Sequence, residues 1–182
     1  MFRVLIATVF GVFVFCGVAQ ADAVNDQPLL DLLGKIEGPE GYGGVSHSAR
    51  ATPPEELTKM TIAQVLTYQK RLRSLGSRSS AVGRYQFIYK TLDAVVDEFN
   101  VDTSQKFNRR TQDFLARRML EKCDFYDPDA SHARIGNCLA RTWAAIPVVS
   151  GSRRGRSYYH GTAGNRALTS PKIVLSLISK RF

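Results

Sequence analysis

Apolar side chains recur at intervals of three and four residues in six stretches of the chain, which is the spacing of one buried face of an α-helix. Taken with their start and stop signals, these stretches are 28–37, 62–75, 85–99, 104–122, 135–146 and 171–178. Around 41–45 the chain is glycine-rich and lacks this spacing, which favours a strand and loop instead. The pattern predicts a mostly helical domain with a minor β element, a small flap over 45–54.

Capping and helix-breaking residues support several of these boundaries. Thr61 and Gln64, three residues apart, have the pattern of a capping box at the start of the second helix. Pro147 stops the fifth helix, and Pro171 suits the first position of the last one. Within the fourth helix, Phe114 is expected to face the core.

The first helix is predicted to end on a glutamate. Asp26 or Gln27 is expected to cap its start, and Gly38 with Pro39 stops it directly after Glu37. The Glu37 carboxyl group then lies at the negative end of the helix dipole and beside an apolar wall, and both surroundings raise a carboxyl pKa. A carboxylic acid that keeps its proton near neutral pH can protonate a leaving oxygen, as a glycosidase requires. The alternative is a solvated helix-end glutamate without a chemical role.

The most distinctive segment is 79–93, SSAVGRYQFIYKTLD. Gly83 and the serines before it stand at the start of the predicted third helix, where the backbone can approach a ligand closely. Tyr85 falls on an apolar position of this helix, and such a tyrosine is more often a core residue than a ligand-binding one. Gln86 would gain nothing in a core, so its amide is expected to hydrogen-bond a ligand.

A short apolar run precedes the helical region and ends in an A-x-A cleavage pattern at 19–21. Residues 1–21 are therefore predicted to be a secretory signal peptide, and 22–182 a single domain. The run is shorter than the ~20 apolar residues of a membrane-spanning helix. A bulky side chain precedes Cys16, which does not fit a lipobox. No stable membrane anchor is expected, and the predicted location is the periplasm or the outside of the cell.

Two cysteines, Cys123 and Cys138, follow the predicted signal peptide. An even pair in an exported protein predicts a disulfide bond, with two buried thiols as the alternative. The three histidines are His47, His132 and His160, and their spacing does not support the three ligands that a zinc site needs. No metal or cofactor is expected.

The formal net charge of the chain is +9, and removal of Arg3 with the signal peptide would lower it by one. Nucleic acid is not an expected partner, because the protein is predicted to be exported and has no recognised binding motif. An anionic membrane is not favoured either, because no long basic amphipathic helix is present. Export and positive charge together favour the bacterial cell wall, an anionic polymer mesh.

Three segments together resemble a known family. LLDLLGKIEG at 29–38, SSAVGRYQFIYKTLD at 79–93 and the stretch 143–158 are similar to lambda-phage-type endolysins and related exported muramidase-like proteins of bacteria. Those proteins are lysozyme-fold enzymes that cut glycan strands. The resemblance covers most of 22–182 and implies an α+β lysozyme-like fold with its β flap beside an active-site cleft.

The resemblance also implies roles for four residues. Glu37 matches the catalytic acid of the family, while Tyr85 and Gln86 match the aromatic and amide residues that line the sugar subsites. Tyr158 matches a tyrosine that faces the acid across the cleft. The implied partner is peptidoglycan, at its MurNAc-GlcNAc bond, and a wall-spanning secretion machine is an additional candidate.

One departure from the family bears on mechanism. Phage-type enzymes carry an aspartate soon after the acid, whereas 45–50 reads VSHSAR without a carboxylate. Glu40 follows a proline turn, and Glu55 and Glu56 are expected to be solvated. With Glu37 alone, the predicted mechanism is that of a lytic transglycosylase, which needs no second carboxylate. The alternatives are a hydrolysing muramidase and a non-catalytic wall-binding accessory protein of a secretion system.

Overall fold

The computed structural model describes residues 24–162 and 164–182. The predicted signal peptide and its cleavage site lie outside the described residues. Within the described ranges six α-helices follow one another, as the apolar spacing predicts: α1 (Gln27–Ile36), α2 (Ile62–Ser74), α3 (Tyr89–Glu98), α4 (Arg109–Glu121), α5 (His132–Thr142) and α6 (Pro171–Ser179). The prediction of a mostly helical domain is confirmed.

The β structure of the described residues consists of isolated bridges and includes no sheet. Antiparallel bridges join Val45 to Val82 and Val82 to Phe87, and two others lie at Thr61–Lys106 and Pro147–Ser157. The predicted minor β element is therefore reduced to single bridges at 45 and 82. A β flap over 45–54 is not confirmed.

The cap of α2 agrees with the sequence pattern, whereas that of α1 differs from it. The capping box of α2 is present, since the Gln64 N–H donates to Thr61 Oγ1 at 3.2 Å and the Thr61 N–H donates to Gln64 Oε1 at 2.7 Å. Asp26 precedes α1 but makes no side-chain cap bond. Its carboxylate instead accepts hydrogen bonds from Arg117 Nε at 2.9 Å and from the Tyr126 hydroxyl at 2.8 Å. A predicted cap is thus a tertiary contact between α1 and α4.

Two helices begin later than predicted, because tertiary pairing competes with the helical pattern. α3 begins at Tyr89 rather than at 85, since Val82 and Phe87 exchange backbone hydrogen bonds of 3.1 and 3.0 Å and enclose a tight turn. α4 begins at Arg109 rather than at 104, because the preceding residues pair with the start of α2 through the bridge at Lys106. α5 also ends early, at Thr142.

A single core collects the apolar faces of all six helices. Large side chains that are at most 1% exposed include Leu29, Ile62, Leu92, Leu115 and Ile135. The prediction that Phe114 faces this core is wrong, since its side chain is 40% exposed and packs beneath the Arg118 guanidinium. Its neighbour Leu115 takes the buried position instead.

The disulfide bond between Cys123 and Cys138 is present, as predicted, with its Cα atoms 5.5 Å apart. It joins the end of α4 to the middle of α5 and closes a loop whose ends are 15 residues apart. Closing a loop of this length contributes about 3 kcal/mol to the free energy of unfolding in the chain-entropy model. Among the described residues, no helix is both long enough and apolar enough to cross a membrane.

Candidate active site

A cleft of about 950 Å³ opens between the end of α1, the bridged segments at 45–48 and 78–88, and the ends of α4 and α5. Three of the predicted site residues, Glu37, Tyr85 and Gln86, line it. Serine, threonine and asparagine side chains line it as well, together with apolar ones. A groove of this size and mixed polarity is typical of a binding site for a polar organic ligand.

Glu37 is the residue that directly follows α1, and its backbone N–H still donates to Leu33 O at 2.9 Å. Its side chain is partly buried, and its Oε1 atom accepts a hydrogen bond of 2.8 Å from the backbone N–H of Ala145. Burial raises the pKa of Glu37 from 4.5 to about 6, against the opposing effect of the Ala145 hydrogen bond. The alternative of a solvated helix-end glutamate does not describe this side chain. Near pH 6 its acid and base forms coexist, as acid-base catalysis requires.

Two glycines let α1 approach the 83–86 turn closely. A Cβ atom added at Gly38 would lie 2.5 Å from the backbone oxygen of Arg84 and 2.8 Å from that of Gly83. One added at Gly34 would lie 2.3 Å from Arg84 Nε. The Arg84 side chain crosses α1 at this point and its Nη2 atom donates to Asp31 Oδ1 at 3.1 Å. The position of Glu37 relative to the turn that carries Gln86 therefore requires glycine, which has no side chain, at both 34 and 38.

Gln86 closes that turn rather than lying on a helix as predicted. Its N–H donates to Gly83 O at 3.2 Å, and its φ angle of +46° is in the left-handed region. A residue other than glycine is strained there, by about 1–2 kcal/mol, and such strain is concentrated at functional sites. The side-chain Nε2 atom donates to Gly83 O at 2.9 Å, while Oε1 has no partner among the described residues.

Tyr85 also lines the cleft, but its side chain belongs almost entirely to the core. It is 1% exposed and packs edge-on against the rings of Tyr42 and Phe87. Its hydroxyl donates to Asp113 Oδ1 at 2.6 Å, and the Tyr42 hydroxyl donates to the same atom at 2.9 Å. Burial raises the pKa of Tyr85 far above its usual range. A ring covered in this way supports the cleft floor and cannot stack on a sugar in this conformation.

Tyr158 is not among the described residues that line the cleft, although the family resemblance places it across from the acid. It is 38% exposed and lies under the Arg153 guanidinium, 5.0 Å from the ring centre. The next residue, Tyr159, lines the cleft instead, and its hydroxyl donates to Arg141 O at 2.6 Å. The tyrosine that lines the cleft is therefore one residue later in the loop after Pro147 than the tyrosine that the family resemblance indicates.

A second carboxylate does reach the cleft, contrary to the expectation from sequence. Glu40 follows Glu37 by one tight turn and lines the same groove. Its Oε1 atom lies 3.1 Å from His47 Nε2, and 44% of its side chain is exposed. The other acidic residues within 24–162 and 164–182 lie outside the lining. In the same described ranges, no group of three His, Cys, Asp or Glu side chains is placed to hold a metal ion.

Two buried glutamines that the sequence analysis missed hold the cleft floor together. Gln112 is fully buried on α4, where its Nε2 atom donates to Tyr42 O and Phe107 O and its Oε1 atom accepts from the Arg84 N–H. Gln69 on α2 is also fully buried and donates to Ser80 O at 2.8 Å and to Phe87 O at 2.7 Å.

The signal for both glutamines is present in the sequence. Gln69 precedes Leu72 by three residues, and Gln112 precedes Leu115 by three, so each amide stands on the apolar stripe of its helix. A polar group on a buried stripe must find hydrogen-bond partners inside the protein. These positions therefore mark where irregular backbone packs against a helix.

The raised pKa of Glu37 makes stability depend on pH. Between 4.5 and about 6 the folded state binds more protons than the unfolded chain, so the free energy of unfolding falls as pH rises through this window, by about 2 kcal/mol in all. Glu37→Gln has no proton to lose in this range. We therefore expect its free energy of unfolding to be higher than that of the wild type by up to about 2 kcal/mol near pH 7, and equal to it below about pH 4. Urea unfolding at both pH values measures this difference. A constant difference across this range would contradict the assigned pKa.

The strain at Gln86 separates a structural role from a binding role. We expect Gln86→Gly to raise the free energy of unfolding by up to about 1 kcal/mol, because glycine adopts the left-handed conformation without strain. The same substitution should weaken binding of chitooligosaccharide, measured by calorimetry. Asn100→Gly, at another left-handed position outside the cleft lining, is the matched control and should leave binding unchanged. Unchanged binding in Gln86→Gly would reduce Gln86 to a turn residue.

Comparisons of the chain with protein families, with curated proteins and with solved structures gave no match. The resemblance to lambda-phage-type endolysins therefore stays a prediction carried by the three quoted segments. What the structure adds to it is a cleft in which Glu37 and Gln86 occur together.

Proposed function

We propose that this protein cleaves the MurNAc-GlcNAc bond of peptidoglycan glycan strands, with Glu37 as the catalytic acid and base. The observation that carries the proposal is the Glu37 carboxyl group, partly buried in a cleft of about 950 Å³ and with a pKa of about 6. Gln86 and the serines at 46 and 48 supply hydrogen-bonding groups that suit hydroxyl and N-acetyl substituents.

The hydrogen bond from Ala145 decides which oxygen carries the proton. An N–H donor favours an oxygen that bears no proton, so Oε1 stays an acceptor and the proton of the acid form resides on Oε2. In the proposed first step, Oε2 gives this proton to the glycosidic oxygen as the bond to C1 breaks. The leaving sugar keeps the proton as its hydroxyl group, and Glu37 becomes a carboxylate.

In the second step of a lytic transglycosylase, the 6-hydroxyl group of the same muramic acid bonds to C1. The Glu37 carboxylate removes the hydroxyl proton, so the enzyme returns to its starting state without using water. The product ends in a 1,6-anhydro ring. A single carboxyl group with a pKa of about 6 is sufficient for both proton transfers.

A hydrolysing muramidase is the second candidate, and Glu40 is the observation that favours it. Retaining and inverting glycosidases use two carboxyl groups separated by ~5–9.5 Å. Glu40 lies in the same cleft as Glu37, and its Oε1 atom is 3.1 Å from His47 Nε2. In this mechanism Glu40 would activate the water that attacks C1.

We also propose that the protein is exported, that its signal peptide is removed and that it acts at the cell wall. Local cleavage there would open a passage for a wall-spanning secretion machine. The disulfide bond of Cys123 and Cys138 is consistent with an oxidising compartment. The family's lysozyme-like fold with a β flap stays part of this proposal. Its support is the pairing of 44–46 with 81–83, through the Gly83 N–H to Gly44 O and the Ser46 N–H to Ala81 O.

Product analysis tests the proposed function. Purified sacculi are incubated with the protein, and the soluble fragments are analysed by mass spectrometry, since anhydro and reducing ends differ by one water. Anhydro ends are the expected result, and reducing ends would favour the muramidase with Glu40. If no fragments are released although the protein binds sacculi tightly, the protein is a wall-binding accessory protein and not an enzyme.

A further inference from the structure

Positive charge is distributed unevenly along the chain. Of its 25 lysines and arginines nine follow residue 129, whereas none of its 16 aspartates and glutamates do. The first 129 residues therefore hold 16 charges of each sign, and the whole net charge of +9 belongs to 130–182. This segment comprises α5, the loop after it and α6, and it supplies one wall of the cleft through residues 141–144 and 159.

Three cationic side chains on different elements line the cleft. Arg141 lies at the end of α5, Lys90 at the start of α3, and Arg78 in the segment that leads to the floor turn. All three are exposed, and within residues 24–162 and 164–182 none of them forms an ion pair. Against them stand Glu37, which is uncharged for part of the time near pH 6, and Glu40, which is paired with His47.

Local helix electrostatics does not account for Lys90. It occupies the second position of α3, where the positive end of the helix dipole disfavours a cation, and the first turn of α3 has no acidic residue to balance it. Lys90 is therefore placed at a small cost to the helix. Lys172 stands at the same position of α6 outside the cleft lining, so what distinguishes Lys90 is its place in the cleft, where an anion could offset that cost.

We propose that Lys90, Arg141 and Arg78 bind the carboxylates of peptidoglycan stem peptides, so that the cleft prefers a peptide-bearing glycan strand to a denuded one. This inference rests on the proposed function. A denuded strand keeps one carboxylate per disaccharide, on the lactyl group close to the sugar ring. A stem peptide carries its carboxylates several bonds further from the ring, where side chains on the two walls of the cleft can contact them.

Binding selectivity is the test. The soluble disaccharide with its stem tetrapeptide and the same disaccharide without the stem are titrated into Glu37→Gln protein, which cannot consume them. We expect tighter binding of the stem-bearing compound. The selectivity is the dissociation constant of the stem-free compound divided by that of the stem-bearing one. This ratio should fall about two- to fivefold when Lys90→Gln is added, and by a similar factor when Arg141→Gln is added, as for single exposed charge pairs. In ~1 M salt the ratio should approach one, because the Debye length is then ~3 Å.

The matched control is Lys172→Gln. Lys172 is exposed and occupies the second position of α6, as Lys90 does in α3, but it is outside the cleft lining. It should leave the ratio unchanged. The thermal midpoint of Lys90→Gln should equal or exceed that of its parent, which shows that any lost selectivity does not come from unfolding.

Digestion of two wall preparations separates failure of this inference from failure of the proposed function. Wild-type protein is given intact sacculi and amidase-treated sacculi that lack stems. Equal cleavage of both, with equal binding constants, would overturn stem recognition and leave glycan cleavage standing. No cleavage of either would overturn the proposed function, while the ratio of the binding constants would still decide whether these cations recognise the stem peptide.

Discussion

Glu37→Gln should release anhydro-muropeptides from sacculi at a rate ~10²–10⁴-fold lower than the wild type, since acid-base catalysis contributes a factor of this size. The amide keeps the shape of the side chain and can still accept the Ala145 N–H, but it has no proton to give to the glycosidic oxygen. Initial rates of fragment release, measured by liquid chromatography and mass spectrometry, give this factor. Binding of sacculi should persist.

Glu40→Gln is the informative companion, because Glu40 lines the same cleft. For a lytic transglycosylase this change should reduce the rate far less than Glu37→Gln does, and anhydro ends should remain the product. For a muramidase both substitutions should abolish turnover. Glu55→Gln, at an exposed position outside the cleft lining, controls for loss of one negative charge. Wild-type rates in Glu37→Gln would remove this residue from the mechanism.

Gly38→Ala should both destabilise the protein and inactivate it. The new methyl group would lie 2.5 Å from the Arg84 backbone oxygen, and a backbone atom cannot rotate away as a side chain can. Forced overpacking of this kind costs about 1–3 kcal/mol of unfolding free energy. Because Glu37 is the adjacent residue, relief of the clash must move its carboxyl group, and a displacement of ~1 Å can reduce activity by ~10²-fold.

Gly43→Ala is the control for this change. It adds the same methyl group five residues later in the same loop, but no atom lies within 4 Å of the new Cβ atom. Urea unfolding and the sacculus assay are run on both variants. Full activity and unchanged stability of Gly38→Ala would show that α1 and the 83–86 turn are not locked together at this contact.

Helices and caps could be predicted from the sequence because their causes are local. The Thr61 capping box and the start of α6 at Pro171 depend on residues within one turn of each other. Glu37 could be selected for the same reason, as its place after α1 follows from Gly38 and Pro39. The predicted increase of its pKa is confirmed. Its main cause in the structure is burial in the folded cleft.

The 82–87 turn could not be predicted, because its causes lie far away along the chain. The apolar residues at 85, 88 and 92 have helical spacing, yet the amide groups that hold the turn come from Gln69 on α2 and Gln112 on α4. Pattern analysis therefore placed Tyr85 and Gln86 on a helix that begins only at Tyr89. The position of Tyr158 was missed for a related reason, since a loop can shift by one residue without changing any periodic signal.

The same two glutamines also determine how the cleft floor moves. Loops usually open in local fluctuations that leave the rest of a protein folded. Here Gln69 and Gln112 are fully buried among the helices. Gln69 donates hydrogen bonds to the backbone around the 82–87 turn, and Gln112 accepts one from it. Freeing that turn would remove the Arg84 N–H from buried Gln112 Oε1 and Phe87 O from the buried Gln69 amide, at a cost of about 1–3 kcal/mol for each group left unsatisfied. The floor of the cleft is thus part of the same cooperative unfolding unit as α2 and α4, and widening of the cleft has to come from its opposite, C-terminal wall.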